Sequence, residues 1–230
     1  MAMRAPVSGF SKMLLGLVSV AVLSIALFFW MRAWRPNETD YPQQGLEVNH
    51  ALGKVDWAKV KASGGDFAYI EATFGDTERD ASFAENWQGS IAAGLTRGAL
   101  HRYHLCRLAR DQATNFIATV PREADELPAA LDLELDAGCT TRPARAVLLG
   151  ELASFIQMVE AHTEKPVMIR LSRAFDEEYA ISRAINRPLW LSSRLLTPSY
   201  GDRPWVMWRA NPARSVDGVS APTGWSVVRP

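Results

Sequence analysis

The chain has 230 residues, of which 48% are hydrophobic and eight are tryptophan, so it can form one domain with a substantial core. Its 25 basic side chains balance 25 acidic ones, and this balance disfavours a nucleic-acid-binding protein, which would present a basic surface. The two cysteines lack the paired spacing of a zinc site and no glycine-rich phosphate loop follows a predicted strand, so no metal or nucleotide cofactor is expected.

The first predicted element is a transmembrane helix over residues 13–31. This segment contains no charged residue, is rich in Leu, Val, Ile and Phe, and has two basic residues close to each end. It is long enough to cross a bilayer. A cleaved signal peptide is the alternative, but its apolar core would be shorter and no small-residue cleavage site follows. We therefore expect an uncleaved anchor in the cytoplasmic membrane, after a short segment 1–12, with the globular part outside.

Residues 32–44 are polar, contain two prolines and show no periodicity, which predicts a linker before a folded domain over residues 45–230. In that domain, strand-like and amphipathic helical segments alternate. Strands are predicted at 45–49, 67–73, 97–105, 129–135, 167–171, 189–192 and 205–209, and helices at 56–63, 83–93, 111–120, 144–162 and 173–182. The tail after the last strand is expected to be irregular. This order predicts a largely parallel sheet, here an irregular (β/α) TIM-like barrel with reactive residues at the C-terminal ends of strands.

The segment 128–136 has the clearest chemical meaning. Its acids Asp132, Glu134 and Asp136 alternate with leucines, as in a strand with one polar face. The side chains of Asp132 and Glu134 therefore leave the same face, roughly 6.5 to 7 Å apart. Two neighbouring carboxylates cannot both ionise freely, so one tends to keep a proton near neutral pH, as acid-catalysed glycoside cleavage requires. The alternative is a half-buried strand whose acids simply face water.

Several segments, in this order along the chain, resemble the glycoside hydrolase family 25 lysozymes, also called Chalaropsis-type muramidases. The similar segments are the opening strand and first helix at 45–50 and 55–63, the second strand at 66–70, the next helix at 83–95, and the following strand at 97–101. The triplet Asp132-Leu-Glu134 matches the family signature Asp-x-Glu. The resemblance implies an irregular α/β barrel in which Glu134 protonates the leaving glycosidic oxygen, Asp132 is its partner, and Glu47 is a further active-site acid.

The resemblance and the aromatic content also suggest residues that contact substrate. His101 stands at the family's histidine position and is expected to line the cleft. Trp190 and Trp208 can either stack on sugar rings or fill the barrel, and both alternatives stay open. Tyr69 fits the core and is kept as a candidate for substrate contact.

The cysteines follow the ends of two predicted strands that can be neighbours in the sheet. A disulfide between Cys106 and Cys139 would hold adjacent active-site loops together. It would form in an oxidising compartment outside the cytoplasm. A buried pair of free thiols is the alternative.

Several positions depart from the family pattern. The family's closing segment usually carries Val-Asp-x-Asn, whereas residues 223–226 are Thr-Gly-Trp-Ser, so Gly224 stands where a carboxylate is expected. Glu47 replaces an Asp and is one methylene longer. Phe74 stands at a Glu position and Leu100 at a Tyr position. The rim of the active site is therefore expected to be rebuilt.

Two functional classes follow. The first is a membrane-anchored muramidase that cleaves peptidoglycan between N-acetylmuramic acid and N-acetylglucosamine with water and no cofactor, as the retained Asp132 and Glu134 favour. The second is a peptidoglycan-binding protein of the same fold with impaired turnover, as Gly224, Phe74 and Leu100 favour; it can also serve as an accessory of an envelope or secretion complex. The enzyme is the preferred hypothesis, with glycan strands and one membrane as its partners.

Overall fold

The computed structural model describes residues 9–123, 125–135 and 138–230. The first eight residues and Asp136, the third acid of the alternating motif, lie outside this part. The N-terminal helix contains one segment, Met13–Ala33, that is long and apolar enough to cross a membrane. A signal sequence near the N-terminus would pass the same test.

Helices and strands alternate over most of the domain, close to the predicted order. The strands are β1 (Gln44–Val48), β2 (Phe67–Phe74), β3 (Glu78–Arg79), β4 (Thr96–Arg102), β5 (Ala130–Leu133), β6 (Met168–Leu171), β7 (Leu189–Ser192), β8 (Met207–Arg214) and β9 (Thr223–Val228). The helices are α1 (Gly9–Ala33), α2 (Trp57–Ala62), α3 (Phe83–Ala92), α4 (Ala109–Ile117), α5 (Arg145–Thr163), α6 (Arg173–Tyr179) and α7 (Ile181–Ala184), with a 3-10 turn at His50–Leu52.

Eight strands close into a barrel in the order β1, β2, β4, β5, β6, β7, β8, β9, and β9 pairs back with β1. Seven of them run parallel, whereas β9 is antiparallel to both of its neighbours. The predicted α/β barrel is confirmed. The expected irregular tail is wrong, because β8 extends beyond residue 209 and the chain then returns as β9 to close the barrel.

The barrel interior below its C-terminal end is filled by apolar side chains, most of them large. They are Phe67, Tyr69, Leu100, Ala130, Met168, Trp190 and Met207. Gly98 makes room for one of them, since a Cβ at this position would lie 2.6 Å from a ring carbon of Tyr69. The opposite faces of the strands pack against the helices, as strand alternation requires.

His101 lies on β4, but its ring points outward into the helix layer. The side chain is fully buried, its Nε2 donates to Gln112 Oε1 at 3.2 Å, and its Nδ1 lies 2.7 Å from the Thr73 hydroxyl. The ring of Phe155 on α5 packs against it at 4.8 Å between centroids. The expectation that His101 lines the cleft is therefore wrong. Its neighbour Leu100 takes the inward position, because successive side chains of a strand alternate between the two faces.

The predicted disulfide is present between Cys106 and Cys139, whose Cα atoms are 5.7 Å apart. The two cysteines lie in the connections that follow β4 and β5, which are parallel neighbours in the barrel. The bond therefore joins two loops at the C-terminal end of the barrel.

The predicted linker packs against the outer wall of β8 and β9. The connection between these strands is a loop, so no crossover helix covers them. The ring of Trp34 lies 6.3 Å from that of Trp208, and Tyr41 lies 5.7 Å from the same ring. The Gln44 side chain donates to the Tyr41 carbonyl at 2.9 Å and accepts from the indole N–H of Trp225 at 2.7 Å. These contacts order the linker on the barrel.

Replacing both cysteines by serine is expected to lower the free energy of unfolding by about 3 to 4 kcal/mol, because the bond restricts the unfolded chain. The two residues are separated by 33 positions in sequence. Urea unfolding of the full chain in detergent measures the effect. Reduced wild type should match the Cys106→Ser/Cys139→Ser variant, and equal midpoints for oxidised wild type and variant would contradict the prediction.

His101 is expected to make the fold sensitive to acid. Burial lowers the pKa of this imidazole from 6.5 to about 4. In the pH range between these two pKa values, the unfolded chain binds a proton that the folded chain excludes. The stability that neutral His101 contributes to the fold is therefore lost as pH falls through this range. At about pH 5 the loss amounts to about 2 kcal/mol.

The measurement is urea unfolding at about pH 7 and about pH 5 for wild type and for His101→Gln, which keeps polar partners for Thr73 and Gln112. The variant should lose less stability than wild type on acidification. Other titrating groups are common to both proteins and cancel in this comparison, so parallel losses would show that His101 does not cause the sensitivity.

Candidate active site

A layer of ionisable side chains crosses the C-terminal end of the barrel interior. Strand alternation turns Glu47 of β1, Asp132 of β5, Arg170 of β6 and Arg209 of β8 inward, and Glu134 follows directly after β5. All five line a cleft of about 220 Å³. The carboxyl ends of parallel strands meet here, which is where α/β barrels carry their catalytic residues. The three predicted catalytic acids thus come together in one cleft.

Arg170 contacts all three of these acids. Its Nη1 donates to Glu47 Oε2 at 2.8 Å and its Nη2 to Glu134 Oε1 at 3.3 Å. Its Nε lies 3.3 Å from Asp132 Oδ1, which is an ion-pair distance without hydrogen-bond alignment. The guanidinium also lies over the Trp190 ring, 5.3 Å from its centroid. A buried cation requires such partners, so Arg170 fixes the mutual arrangement of the acids.

Asp132 is the most buried of the three acids, with its side chain 5% exposed. Burial raises the pKa of Asp132 to about 7 against the opposing effect of Arg170, and the carboxylates of Glu134 and Glu47 raise it further. Desolvation and like charges both disfavour the ionised form. Asp132 therefore keeps its proton up to about neutral pH.

Glu134 is the carboxyl group that is open to solvent. Its side chain is 54% exposed, against 12% for Glu47. It follows the last residue of β5, so it lies at the mouth of the cleft while Asp132, two residues earlier, lies inside. Glu134 is therefore the most accessible of the three acids to a molecule that enters the cleft.

The space beside Gly224 on β9 is occupied by other side chains of the layer. A Cβ added at this position would lie 2.3 Å from Glu47 Oε1 and 2.7 Å from Arg209 Nε. Those two atoms form an ion pair at 2.7 Å. The longer acid at position 47 and the missing side chain at position 224 are thus sterically linked, because Glu47 extends into the volume that a larger residue on β9 would need.

The rim of the cleft is organised around Arg102 at the end of β4. Its Nη1 lies 3.4 Å from Glu71 Oε1, and the guanidinium stacks on the Phe74 ring at 4.7 Å from the centroid. Asn49 donates to the other oxygen of Glu71 at 3.4 Å. Glu71 and Phe74, the second of which departs from the family pattern, therefore contact the same arginine.

Tyr69 and Trp190 lie beneath the charged layer. Their rings are 4.8 Å apart, and both side chains are almost fully buried. The Tyr69 hydroxyl donates to the Pro128 carbonyl at 3.1 Å, and the Trp190 indole donates to Ser226 Oγ at 3.2 Å. Burial raises the pKa of Tyr69 above its usual range. Trp190 fills the barrel and supports Arg170, so sugar stacking on it is excluded, whereas Tyr69 forms part of the cleft floor.

Trp208 lies on the outer wall of β8 rather than in the cleft. Its indole N–H donates to the Ser193 carbonyl at 2.7 Å, and its ring packs with Trp34, Tyr41 and Trp205. The prediction that Trp208 contacts substrate is therefore wrong. Its neighbour Arg209 occupies the inward position because alternation assigns adjacent residues to opposite faces.

The two arginines of the charged layer are the site residues that the sequence analysis missed. Arg170 interrupts the apolar strand β6, and a charged residue inside such a strand is rarely buried without partners. An arginine inside an apolar strand could therefore have pointed to Arg170 from the sequence alone.

Over the described ranges, which omit residues 124 and 136–137, no group of three or more His, Cys, Asp or Glu side chains is arranged to hold a metal ion.

Comparison with known proteins agrees with this architecture. The model of the family described as glycosyl hydrolases family 25 matches residues 46–219. The chain is 28% identical over 193 residues to the protein YegX of Escherichia coli strain K12, covering 81% of this chain and 70% of that protein. It is also 28% identical over 200 residues to lysozyme M1 of Streptomyces globisporus, covering 77% of this chain and 64% of the relative.

Solved structures show the same fold. A family 25 glycosyl hydrolase from Bacillus anthracis superposes with a TM-score of 0.80 and 26% identity, over 86% of this chain and 93% of that one. A lysozyme from Streptomyces coelicolor superposes with a TM-score of 0.74 and 24% identity, over 82% and 92% of the two chains. The chain therefore belongs to glycosyl hydrolases family 25 and is a lysozyme-like glycoside hydrolase.

Proposed function

We propose that this protein is a membrane-anchored muramidase that cleaves peptidoglycan between N-acetylmuramic acid and N-acetylglucosamine. The observation that carries the proposal is the acid pair of β5, with Glu134 open at the mouth of the cleft and Asp132 buried behind it. Family membership and the lysozyme relatives support the substrate class.

In this reaction the bond between the anomeric carbon and the glycosidic oxygen breaks. Glu134 gives its proton to the departing oxygen, water supplies the hydroxyl group that the anomeric carbon receives, and the proton that this water loses restores the acid form of Glu134. Asp132, protonated up to about neutral pH, can donate a hydrogen bond to a polar group of the substrate. Glu47 contributes negative charge beneath the sugar ring of the substrate, where positive charge develops in an oxocarbenium-like transition state.

Glu47 takes over the place of the family's closing acid. The family usually has an Asp where this chain has Gly224, and the Glu47 carboxylate reaches the position of the missing Cβ within 2.3 Å. One acid therefore serves where the family pattern has two. Arg209 pairs with it at 2.7 Å and moderates its charge.

The N-terminal helix is proposed as an uncleaved anchor in the cytoplasmic membrane, with the barrel on the outer side. The apolar length of Met13–Ala33 supports this topology. The disulfide between Cys106 and Cys139 is consistent with an oxidising compartment. The contacts of Trp34 and Tyr41 with the barrel favour an anchor that stays attached to the domain.

A second candidate is a glycan-binding protein of the same fold with reduced turnover. It is favoured by the two guanidinium groups inside the acidic cleft. Arg170 binds Glu134 and Glu47 directly, and such neutralisation weakens the negative potential that stabilises an oxocarbenium-like transition state. Binding to peptidoglycan without cleavage would suit an accessory role in an envelope or secretion complex.

Glu134→Gln is expected to lower the rate of muropeptide release from purified peptidoglycan by about a hundredfold to ten-thousandfold, because it removes the proton donor. The full chain in detergent is assayed. Glu177→Gln is the matched control, since Glu177 is an exposed carboxylate on α6, away from the cleft.

Equal thermal midpoints for both variants ensure that a loss of rate is not a loss of folding. Release that persists at the wild-type rate in Glu134→Gln would contradict the assigned role. Absence of release by wild type, together with retained sedimentation on insoluble peptidoglycan, would favour the binding protein.

Gly224→Asp is expected to destabilise the fold, because the new side chain collides with Glu47. Glu47→Asp shortens that side chain and should relieve the collision, so the double variant should be more stable than Gly224→Asp alone. A coupling of about 1 to 3 kcal/mol is expected in a double-mutant cycle measured by urea unfolding. Additive effects would mean that Glu47 does not occupy the space of the missing side chain.

A further inference from the structure

The C-terminal end of α1 is bound to β8 by hydrogen bonds. The Asn211 side-chain amide donates to the carbonyls of Met31 at 2.8 Å and Trp34 at 2.9 Å. The Ser215 backbone N–H donates to the Arg32 carbonyl at 2.8 Å. The last carbonyls of a helix have no partner within it, so these bonds satisfy them and hold the helix end against the barrel.

The loop that follows β7, residues 193–200, is held at both of its ends. The Tyr200 hydroxyl accepts from the Ser192 backbone N–H at 2.8 Å and donates to the Leu171 carbonyl at 2.6 Å. In the middle, the Leu195 N–H donates to the Ala210 carbonyl at 3.1 Å. These bonds give the loop a defined shape on the C-terminal end of the barrel.

The tip of this loop presents an apolar side chain to solvent. Leu196 is 75% exposed, more than any other large hydrophobic side chain in the described part of the chain, α1 included. Leu195 before it has φ +68°, a left-handed conformation that is strained for a non-glycine residue. Arg194 is exposed beside it. An exposed leucine held out by a strained turn next to an arginine has no role in packing the barrel.

The attachment points of the loop and of the helix are neighbours. Ala210, which holds the loop, directly precedes Asn211, which holds the end of α1. A strand rises only about 3.3 Å per residue, so the exposed loop lies beside the point where the apolar helix reaches the domain. Trp30, in the last turns of α1, is 52% exposed, as suits an aromatic side chain at a membrane interface.

We propose that the 193–200 loop is a second membrane contact of this protein. Leu196 enters the boundary between headgroups and acyl chains of the bilayer that α1 spans, and Arg194 pairs with an anionic headgroup phosphate. The proposal rests on α1 being the membrane anchor of the proposed function.

Membrane contacts at both α1 and the 193–200 loop fix the orientation of the barrel relative to the bilayer, whereas α1 alone would leave the barrel free to rotate. β8 carries both attachment points and also the cleft residues Arg209 and Pro212. The second contact therefore holds the mouth of the cleft next to the bilayer surface, and directs the enzyme to glycan that lies at the membrane.

The full chain, reconstituted in vesicles of phosphatidylcholine and phosphatidylglycerol, tests the proposal. An environment-sensitive fluorophore is attached to a single cysteine in Leu196→Cys, under non-reducing conditions that keep the native disulfide intact. Val147→Cys on α5 is the matched control, since Val147 is also an exposed apolar residue, at 59%. Val20→Cys within α1 reports on the anchor itself.

A blue-shifted emission at position 196 that spin-labelled lipid quenches, with position 147 unquenched, is the expected result. Quenching at position 20 but not at 196 would overturn the second contact and leave the anchor in place. Quenching at neither position would overturn the anchor and with it this inference. A blue shift at 196 without quenching would mean that protein, rather than lipid, covers the loop. Equal quenching at 147 would show that no particular face meets the bilayer.

Discussion

The guanidinium of Arg170 is the interaction on which the arrangement of this cleft depends. It joins Glu47 on β1, Asp132 on β5 and Glu134 after β5, at distances of 2.8 to 3.3 Å. Removing one partner of a buried ion pair typically costs 3 to 5 kcal/mol, because the remaining charge is left without compensation. The same residue therefore sets the positions of the acids and limits the negative potential that they present together.

The charge balance of this layer explains why the family pattern is changed at more than one position. Two guanidinium groups face three carboxyl groups, and burial of one of these, Asp132, disfavours its ionised form, so opposite charges in the layer are nearly matched. A further acid at Gly224 would upset this balance and would also collide with Glu47. The glycine, the longer acid and the arginines are thus parts of one arrangement.

β8 connects the cleft with the N-terminal part of the chain. Its inward face carries Arg209 in the cleft, and its outward face carries Trp208, which packs on Trp34. The β8–β9 connection has no crossover helix, so residues of the linker cover an apolar wall that would otherwise meet solvent. Covering this wall also brings the end of α1 to the C-terminal end of the barrel.

The sequence by itself determined what depends on local order. The alternation around Asp132 and Glu134 predicted their shared face, the order of helices and strands predicted the barrel, and the apolar segment at the N-terminus predicted a helix of membrane-spanning length. The neighbouring ends of β4 and β5 made the disulfide a reasonable expectation. Such features can be read because periodicity and spacing are properties of consecutive residues.

The tertiary structure decided what depends on residues far apart in sequence. It turned His101 and Trp208 to the outside, because one-residue alternation reverses the face and local pattern does not reveal which face is the interior. It made the tail into β9, whose pairing exists only once the barrel closes. It brought Arg170 within reach of Glu47, 123 positions away, which no local pattern encodes. The chemistry of the acids therefore follows from the sequence, whereas their partners follow from closure of the barrel.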